Sequence, residues 1–244
     1  MKRGYKNPPI ETVVCEFSFE GVKKWDENAP NLIYNRVRGM FPKKMRDVDV
    51  EMVVRPGEVR IEEMQTPASV RYQFFRKDDT ASVQLDSRTL VVTHGRPYPS
   101  WSVFKKMVLD VLSTYVNVAS PSGFKAVVVK YVNLVEFYES EINLADYFRF
   151  RVVAPGRLPR RWTPVMAVIS IPYEEGGEML VMSSSMVTPE APASIAFLLD
   201  IAYSRNDARC VDLESISEWL DKAHKRIKFA FEASITPKLR KRFY

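Results

Sequence analysis

The feature that most constrains the fold is a change of hydrophobic period along the chain. Residues 10–19 place Val13, Cys15, Phe17 and Phe19 on one face, which is the pattern of a half-buried strand. Further β-rich segments lie at 70–74, 81–85, 90–93, 124–138, 165–171, 178–187 and 195–203. Because many of these segments are short and separated by tight polar turns, they predict an antiparallel sheet.

Three other segments have apolar residues at helical spacing. The first is predicted to begin after Asn28 and to end at Pro42. The second begins after Ser100, and its apolar stripe must face a sheet. The third is a long helix from Asp212, with Pro237 past its end. The stripe of the second helix is Trp101, Phe104, Val108, Val111 and Tyr115, and that of the third is Ile216, Leu220, Ala223, Ile227 and Ala230.

The two halves of the chain repeat the same order of elements without repeating the sequence. Each half runs strand, helix, several antiparallel strands and long helix, and the segment 118–123 is the predicted join. We therefore predict an α+β fold of two similar lobes, 1–118 and 119–244. The lobes either stand apart or form one integrated domain with a continuous sheet and both long helices on one face.

Composition excludes several classes of protein. The chain has 244 residues, of which 46% are apolar and 27% charged, as in ordinary globular domains. Two cysteines and two histidines exclude a disulfide scaffold and a zinc cluster, so we predict no metal and no cofactor. There is no apolar run of about 18 residues and no signal peptide, which predicts a cytoplasmic protein without a membrane partner.

The motifs of the common enzyme classes are missing. The sequence contains no P-loop, no GxGxxG, no HExxH and no EF-hand loop. Neither histidine has a nucleophile at the spacing of a known motif, and Cys15 is predicted to be an inert core residue. We therefore assign no catalytic residue, and the sequence favours a binding protein over an enzyme.

Basic residues are concentrated in two stretches that also contain aromatic residues. The chain carries 36 Lys and Arg against 30 Asp and Glu, a net charge of +6, which favours an acidic partner. Arg and Lys can neutralise phosphates while Trp or Phe stacks on bases, so we predict a surface for nucleic acid or an acidic protein. The alternative is solvated surface charge. The predicted contacts are Arg157, Arg160, Arg161, Trp162, Lys225, Arg226, Lys228, Lys238, Arg240, Lys241 and Arg242.

The segment THGRPYPSW at 93–101 is a second candidate site. A helix begins here, and the free N–H groups of a helix start favour an anion. The same residues would also make a well-built helix start without any ligand. The candidate anion ligands are His94, Arg96, Tyr98, Ser100 and Ser102.

Several segments resemble a sporadically distributed, uncharacterised family of prokaryotic proteins of about this length. That family opens with an NPPI-x-E strand, carries a PYPxW helix start and closes with an HxxIxxxFExxIT helix. The matching segments here are 7–19, 96–101, 131–133, 198–201 and 224–243, and the recurring residues are Trp101, Asn133, Asp200, His224, Phe231 and Glu232. The resemblance implies no activity or cofactor, and its patchy distribution suggests an accessory role in defence or a mobile element.

Three functions remain open from the sequence. The first is a non-catalytic binding protein for an acidic partner, which is either nucleic acid or a protein in a complex. The second is a small-molecule-binding protein or enzyme with an anion site at the helix start near 94–102. The third is a structural subunit of a homo- or hetero-oligomer that packs through a strand edge or through its terminal helix.

Overall fold

The fold is built on one antiparallel sheet. A computed structural model describes residues 5–48, 70–139, 141–151, 166–173, 177–189, 195–206 and 214–244. Its strands are β1 (Ile10–Glu20), β2 (Lys43–Val48), β3 (Val70–Phe75), β4 (Ala81–Leu85), β5 (Thr89–His94), β6 (Gly123–Phe137), β7 (Met166–Tyr173), β8 (Glu178–Val187) and β9 (Ile195–Asn206). Its helices are α1 (Ala29–Val37), α2 (Trp101–Ala119), α3 (Ile216–Ser234) and α4 (Pro237–Lys241), with a 3-10 turn at Leu144–Asp146.

The described strands form a nine-stranded sheet in the order β2-β3-β4-β5-β1-β6-β9-β8-β7. Every neighbouring pair is antiparallel. The long strands β1 and β6 lie side by side near its centre, where Val13 pairs with Tyr131 and Phe17 with Val127. The prediction of an α+β fold with an antiparallel sheet is confirmed.

One face of the sheet carries the core. Along β1, Val13, Cys15 and Phe17 are fully buried, whereas Val14 and Glu16 between them are partly exposed. This alternation arises because successive side chains of a strand point to opposite faces. Burial also raises the pKa of the Cys15 thiol, which fits the prediction of an inert core residue.

The helices α2 and α3 cover that buried face. On α2, Phe104, Val108, Val111 and Tyr115 of the predicted stripe are fully or almost fully buried, and Trp101 is partly buried. The predicted inner stripe of α3 is buried at all five positions. Because both apolar stripes rest on the sheet, the helix starts near residues 101 and 216 are fixed relative to the strands, and this positions the polar groups between the helices.

Helix α1 begins directly after Asn28, as predicted, but it ends earlier than predicted. Asp26 caps its start, because its Oδ1 accepts the backbone N–H groups of Asn28 (2.9 Å) and Ala29 (2.8 Å), whereas the Asn28 side chain makes no capping bond. The helix ends at Val37, two residues before Gly39. Glycine has low helix propensity, which explains why the helix does not reach the proline predicted to end it.

Candidate functional site

A polar network joins the start of α2, the middle of β6 and the middle of α3. The hydroxyl groups of Tyr98 and Tyr131 are 2.9 Å apart, and the Tyr131 hydroxyl lies 3.0 Å from His224 Nδ1. Trp101 Nε1 donates a hydrogen bond of 2.7 Å to Asp221 Oδ1. We call these five residues (Tyr98, Trp101, Tyr131, Asp221 and His224) the Trp101 cluster.

Two contacts tie the cluster into a single unit. The Trp101 and His224 rings are stacked, with centroids 4.5 Å apart and planes 4° apart. Lys105 Nζ donates a hydrogen bond of 2.7 Å to Asp221 Oδ2, so the Asp221 carboxylate receives donors on both oxygens. Each side chain is therefore held in place by at least one neighbour from a different element.

The environment sets the charge of the cluster. Burial, together with the nearby Lys228 charge, lowers the pKa of His224 from 6.5 to about 4, although Asp221 acts in the opposite direction. Burial also raises the pKa of Tyr98 to about 12. Burial disfavours ionised Asp221, but hydrogen bonds from Lys105 and Trp101 outweigh it and lower its pKa. At neutral pH the cluster therefore holds a neutral imidazole beside an ionised carboxylate.

The sequence singled out part of this cluster. Tyr98 is a predicted anion ligand, and Trp101 and His224 belong to the motifs on which the family resemblance is based. Sequence reasoning missed Asp221, whose signal was its position three residues before His224, on the same face of one helix. It also gave no role to Tyr131, because only the pairing of β6 against the helices brings this tyrosine to His224.

The residues of the predicted anion site have separate roles in the structure. Arg96 Nε lies 2.9 Å from Glu11 Oε2, so its charge is paired with β1. Ser100 is the N-cap of α2, and its Oγ accepts the Val103 N–H at 3.4 Å. Ser102 Oγ is 3.1 Å from Ser100 Oγ. Together with Tyr98 in the Trp101 cluster, these contacts account for four of the five predicted ligands.

The fifth predicted ligand, His94, lies elsewhere. It is buried, and its Nδ1 lies 2.7 Å from the Gly95 carbonyl oxygen. Its ring lines a groove of about 860 Å³ between the turn after α1, the β3–β4 turn and the first turns of α2. The groove is also lined by two methionines, three cations and two carboxylates: Met40, Met107, Arg76, Lys77, Lys106, Asp78 and Asp110.

Three of the basic residues predicted to contact a partner lie close to acidic side chains of the protein itself. Lys238 pairs with Asp146 at 2.9 Å and Arg240 with Glu232 at 2.8 Å. Arg242 lies 3.9 Å from a Glu139 carboxylate oxygen and over the Phe137 ring. These three basic residues therefore fasten α4 and the chain end to neighbouring segments. Lys241 is exposed.

The outer face of α3 presents a different arrangement. Phe229 is 73% exposed there, whereas Phe231 is 8% exposed and belongs to the core. Lys225 and Arg226 precede Phe229 by four and three residues, so they lie on the same face of the helix, and Lys228 is its exposed neighbour. We call Lys225, Arg226, Lys228 and Phe229 the α3 patch.

The remaining predicted contacts (Arg157, Arg160, Arg161 and Trp162) lie outside the described residues. Among the residues that the structure covers, no group of three or more His, Cys, Asp or Glu could hold a metal ion. Within the same ranges, no helix is both long enough and apolar enough to cross a membrane.

A buried carboxylate that sequence reasoning missed links β8, β9 and α3. Glu178 is 2% exposed, and its oxygens accept hydrogen bonds from Tyr203 (2.7 Å), Trp219 (2.9 Å) and Lys222, whose Nζ lies at 2.7 Å. Burial disfavours the charge, but these hydrogen bonds prevail and lower the pKa of Glu178. In the sequence, Glu178 was one of many acidic residues, and its position at the start of a predicted strand gave no sign of this role.

Comparison of the chain with models of known protein families gives no match, and comparison with curated proteins gives none either.

Proposed function

We propose that the protein is a non-catalytic binding protein that recognises an acidic partner through the α3 patch. The observation that carries the proposal is Phe229, a large apolar ring that is 73% exposed beside Lys225 and Arg226. An exposed aromatic ring among cations can stack on an unpaired base while the cations contact phosphates. This combination favours single-stranded nucleic acid over an acidic protein.

Neighbouring contacts support this choice. The Arg226 guanidinium lies 4.6 Å from the Tyr173 ring centroid, and this orders the cation without neutralising it. Among the described residues, Lys225 and Lys228 form no ion pair, in contrast to Lys238, Arg240 and Arg242. The α3 patch therefore carries positive charge that is not paired with acidic side chains of the described residues.

The test is binding of a labelled single-stranded oligonucleotide, followed by fluorescence anisotropy over a range of salt concentrations. Replacing Lys225 and Arg226 together by alanine should reduce the log–log salt slope by about 1.4, since each lost phosphate contact removes roughly 0.7. Phe229→Ala should weaken binding by about 5- to 150-fold, equivalent to about 1–3 kcal/mol per stacked base, with the salt slope unchanged.

Two control variants separate the patch from general charge. Lys125→Ala on β6 and Lys241→Ala on α4 each remove an exposed lysine outside the α3 patch, so both should bind like the wild type. If all lysine variants lose affinity equally, binding is non-specific and the assignment to the α3 patch is wrong. If no oligonucleotide binds at low salt, the nucleic-acid proposal is wrong.

We also infer that residues 1–118 and 119–244 are two similar lobes. What supports this is the strand order. The first strand of each half, β1 or β6, pairs with the last strand of that half, β5 or β9, and in each half a helix of 19 residues follows the last strand. The two first strands then join the halves by pairing with each other.

A second candidate function is that of a subunit in an oligomer, which β7 favours. This strand forms one edge of the described sheet, and Met166, Val168, Ile169 and Ile171 on it are 40–73% exposed. Exposed apolar edge strands are templates for pairing with another chain. Light scattering should then show an oligomer that Val168→Lys converts to a monomer, and a monomeric wild type would contradict this function.

A further inference from the structure

We propose that the groove beside His94 binds a small heteroaromatic anion of the chemical class of the nucleoside monophosphates. The groove volume of about 860 Å³ lies within the range of about 300–1,000 Å³ that small-molecule sites occupy. The site shares no residue with the α3 patch, so it is a second function and does not depend on the first.

The hydrogen-bonding state of His94 is the first argument. Only 4% of this residue is exposed, and its Nδ1 lies 2.7 Å from the Gly95 carbonyl oxygen. Because a carbonyl oxygen only accepts, Nδ1 must carry a proton, and in the tautomer that has its proton on Nδ1 the second ring nitrogen, Nε2, is an acceptor. No described residue bonds to Nε2. A buried imidazole that lines a groove with an unused acceptor is suited to a ligand N–H or O–H group.

The apolar lining is the second argument. Met40 and Met107 both line the groove, and Met40 is 39% exposed although it is a large apolar residue. Thioether groups make favourable contacts with aromatic rings and adapt to irregular shapes. A planar base would bury this exposed apolar surface and bring an exocyclic amino group or ring N–H to His94.

The charges of the groove are the third argument. Three cations (Arg76, Lys77 and Lys106) and two carboxylates (Asp78 and Asp110) line it, which leaves an excess of one positive charge. Arg76 Nε lies 3.5 Å from Asp78 Oδ1. Lys106 pairs with Asp110 at 2.7 Å but keeps a side chain that is 76% exposed, and among the residues that the structure covers no carboxylate pairs with Lys77. Cations at the rim of an apolar groove favour a ligand with an anionic group at the end remote from the ring.

The experiment is NMR titration of protein labelled with ¹⁵N-histidine, with AMP as the probe and adenosine and inorganic phosphate as separate arms. The chain has two histidines, so His224 serves as an internal reference and His94→Gln assigns the signals. AMP should shift the His94 Nε2 resonance and leave that of His224 in place. Adenosine and phosphate should each bind more weakly than AMP.

Variants locate the ligand. Lys106→Ala should weaken AMP binding by about two- to fivefold, as expected for a partly exposed ion pair. Met40→Glu puts a negative charge on an exposed rim position and should abolish binding even if His94→Gln does not fold. Lys125→Ala, and the Lys225→Ala, Arg226→Ala double variant, should bind AMP as the wild type does.

Three results would overturn the proposal. The first is the absence of any His94 shift at millimolar AMP. The second is a shift that phosphate alone reproduces in full, which would mean that the groove holds no ring. The third is an equal loss of AMP affinity in the α3 double variant, which would place AMP on the α3 patch instead.

Discussion

The Trp101 indole ring lies flat against the His224 imidazole ring, with centroids 4.5 Å apart and planes 4° apart. Trp101 is the first residue of α2, and His224 lies in the middle of α3, 123 positions further along the chain. Their contact, together with the hydrogen bond from Trp101 to Asp221, fixes α2 against α3. The pair therefore helps to hold the two long helices together.

His224 should make stability depend on pH in a defined window. Its pKa is lowered from 6.5 to about 4 in the folded protein, so between these values the unfolded chain binds more protons. Stability should therefore fall as the pH is lowered from 6.5 to 4, by up to about 3 kcal/mol. Urea unfolding over this pH range measures the effect.

His224→Phe is the control for that window. Phenylalanine keeps a ring against Trp101 but cannot titrate, so the part of the pH dependence caused by His224 should vanish. A variant with the same pH slope as the wild type would show that His224 is not the group responsible.

Trp101→Phe should destabilise the protein without unfolding it. The variant keeps an aromatic ring on His224 but loses the Nε1 donor to Asp221, a charged hydrogen bond worth about 1.5–3 kcal/mol. Chemical denaturation provides the measurement. A double-mutant cycle with Asp221→Asn tests the coupling, and additive effects of the two changes would mean that the hydrogen bond does not contribute.

Glu178→Gln should cost about 1–3 kcal/mol of the free energy of unfolding. The amide group cannot accept bonds at both positions, so it leaves one buried donor unpaired, and Lys222, whose side chain is 39% exposed, loses a countercharge that solvent partly screens. Glu218→Gln on the exposed face of α3 is a matched control that should change stability by less than about 0.5 kcal/mol.

The Glu178 effect should also depend on pH. The carboxyl pKa is lowered by folding, so its contribution is present above the ordinary value of 4.5 and is lost as the pH falls further. The difference in stability between wild type and Glu178→Gln should therefore shrink in acid. A difference that stays constant with pH would mean that the charge of Glu178 is irrelevant.

Replacing Phe229 and replacing Phe231 should have very different effects on stability, although the two residues are only two positions apart. Phe231→Ala removes a ring that is 8% exposed and should cost about 3–5 kcal/mol. Phe229→Ala removes a ring that is 73% exposed and should change stability by less than about 0.5 kcal/mol. Thermal unfolding of both variants checks this, and a large loss in Phe229→Ala would show that Phe229 supports the fold.

Much of the local structure could be predicted from the sequence. Alternation marked β1, β4 and β9, and apolar spacing marked α2 and α3, because a residue on a half-buried element shows its face through its own chemistry. The start of α1 was predicted correctly, but its end was not, since the low helix propensity of Gly39 acts locally and periodicity does not report it.

The candidate sites could be predicted only in part. His94, Tyr98 and Arg96 stand close together in the sequence, which suggested one shared site. In the structure these side chains are separated: His94 lines a groove. Tyr98 forms a hydrogen bond with Tyr131, and Arg96 pairs with Glu11. These residues lie between the end of β5 and the start of α2, where the backbone changes direction. Their closeness in the sequence therefore does not determine where their side chains point.

By itself the sequence determined which segments form strands and helices and which face of each is apolar, because burial of apolar surface acts residue by residue. Only the tertiary structure decided the strand order, the stacking of Trp101 on His224 and the convergence of Tyr203, Trp219 and Lys222 on Glu178. These contacts join residues far apart in the chain. Their energies depend on distances that exist only after the sheet and its helices have packed together.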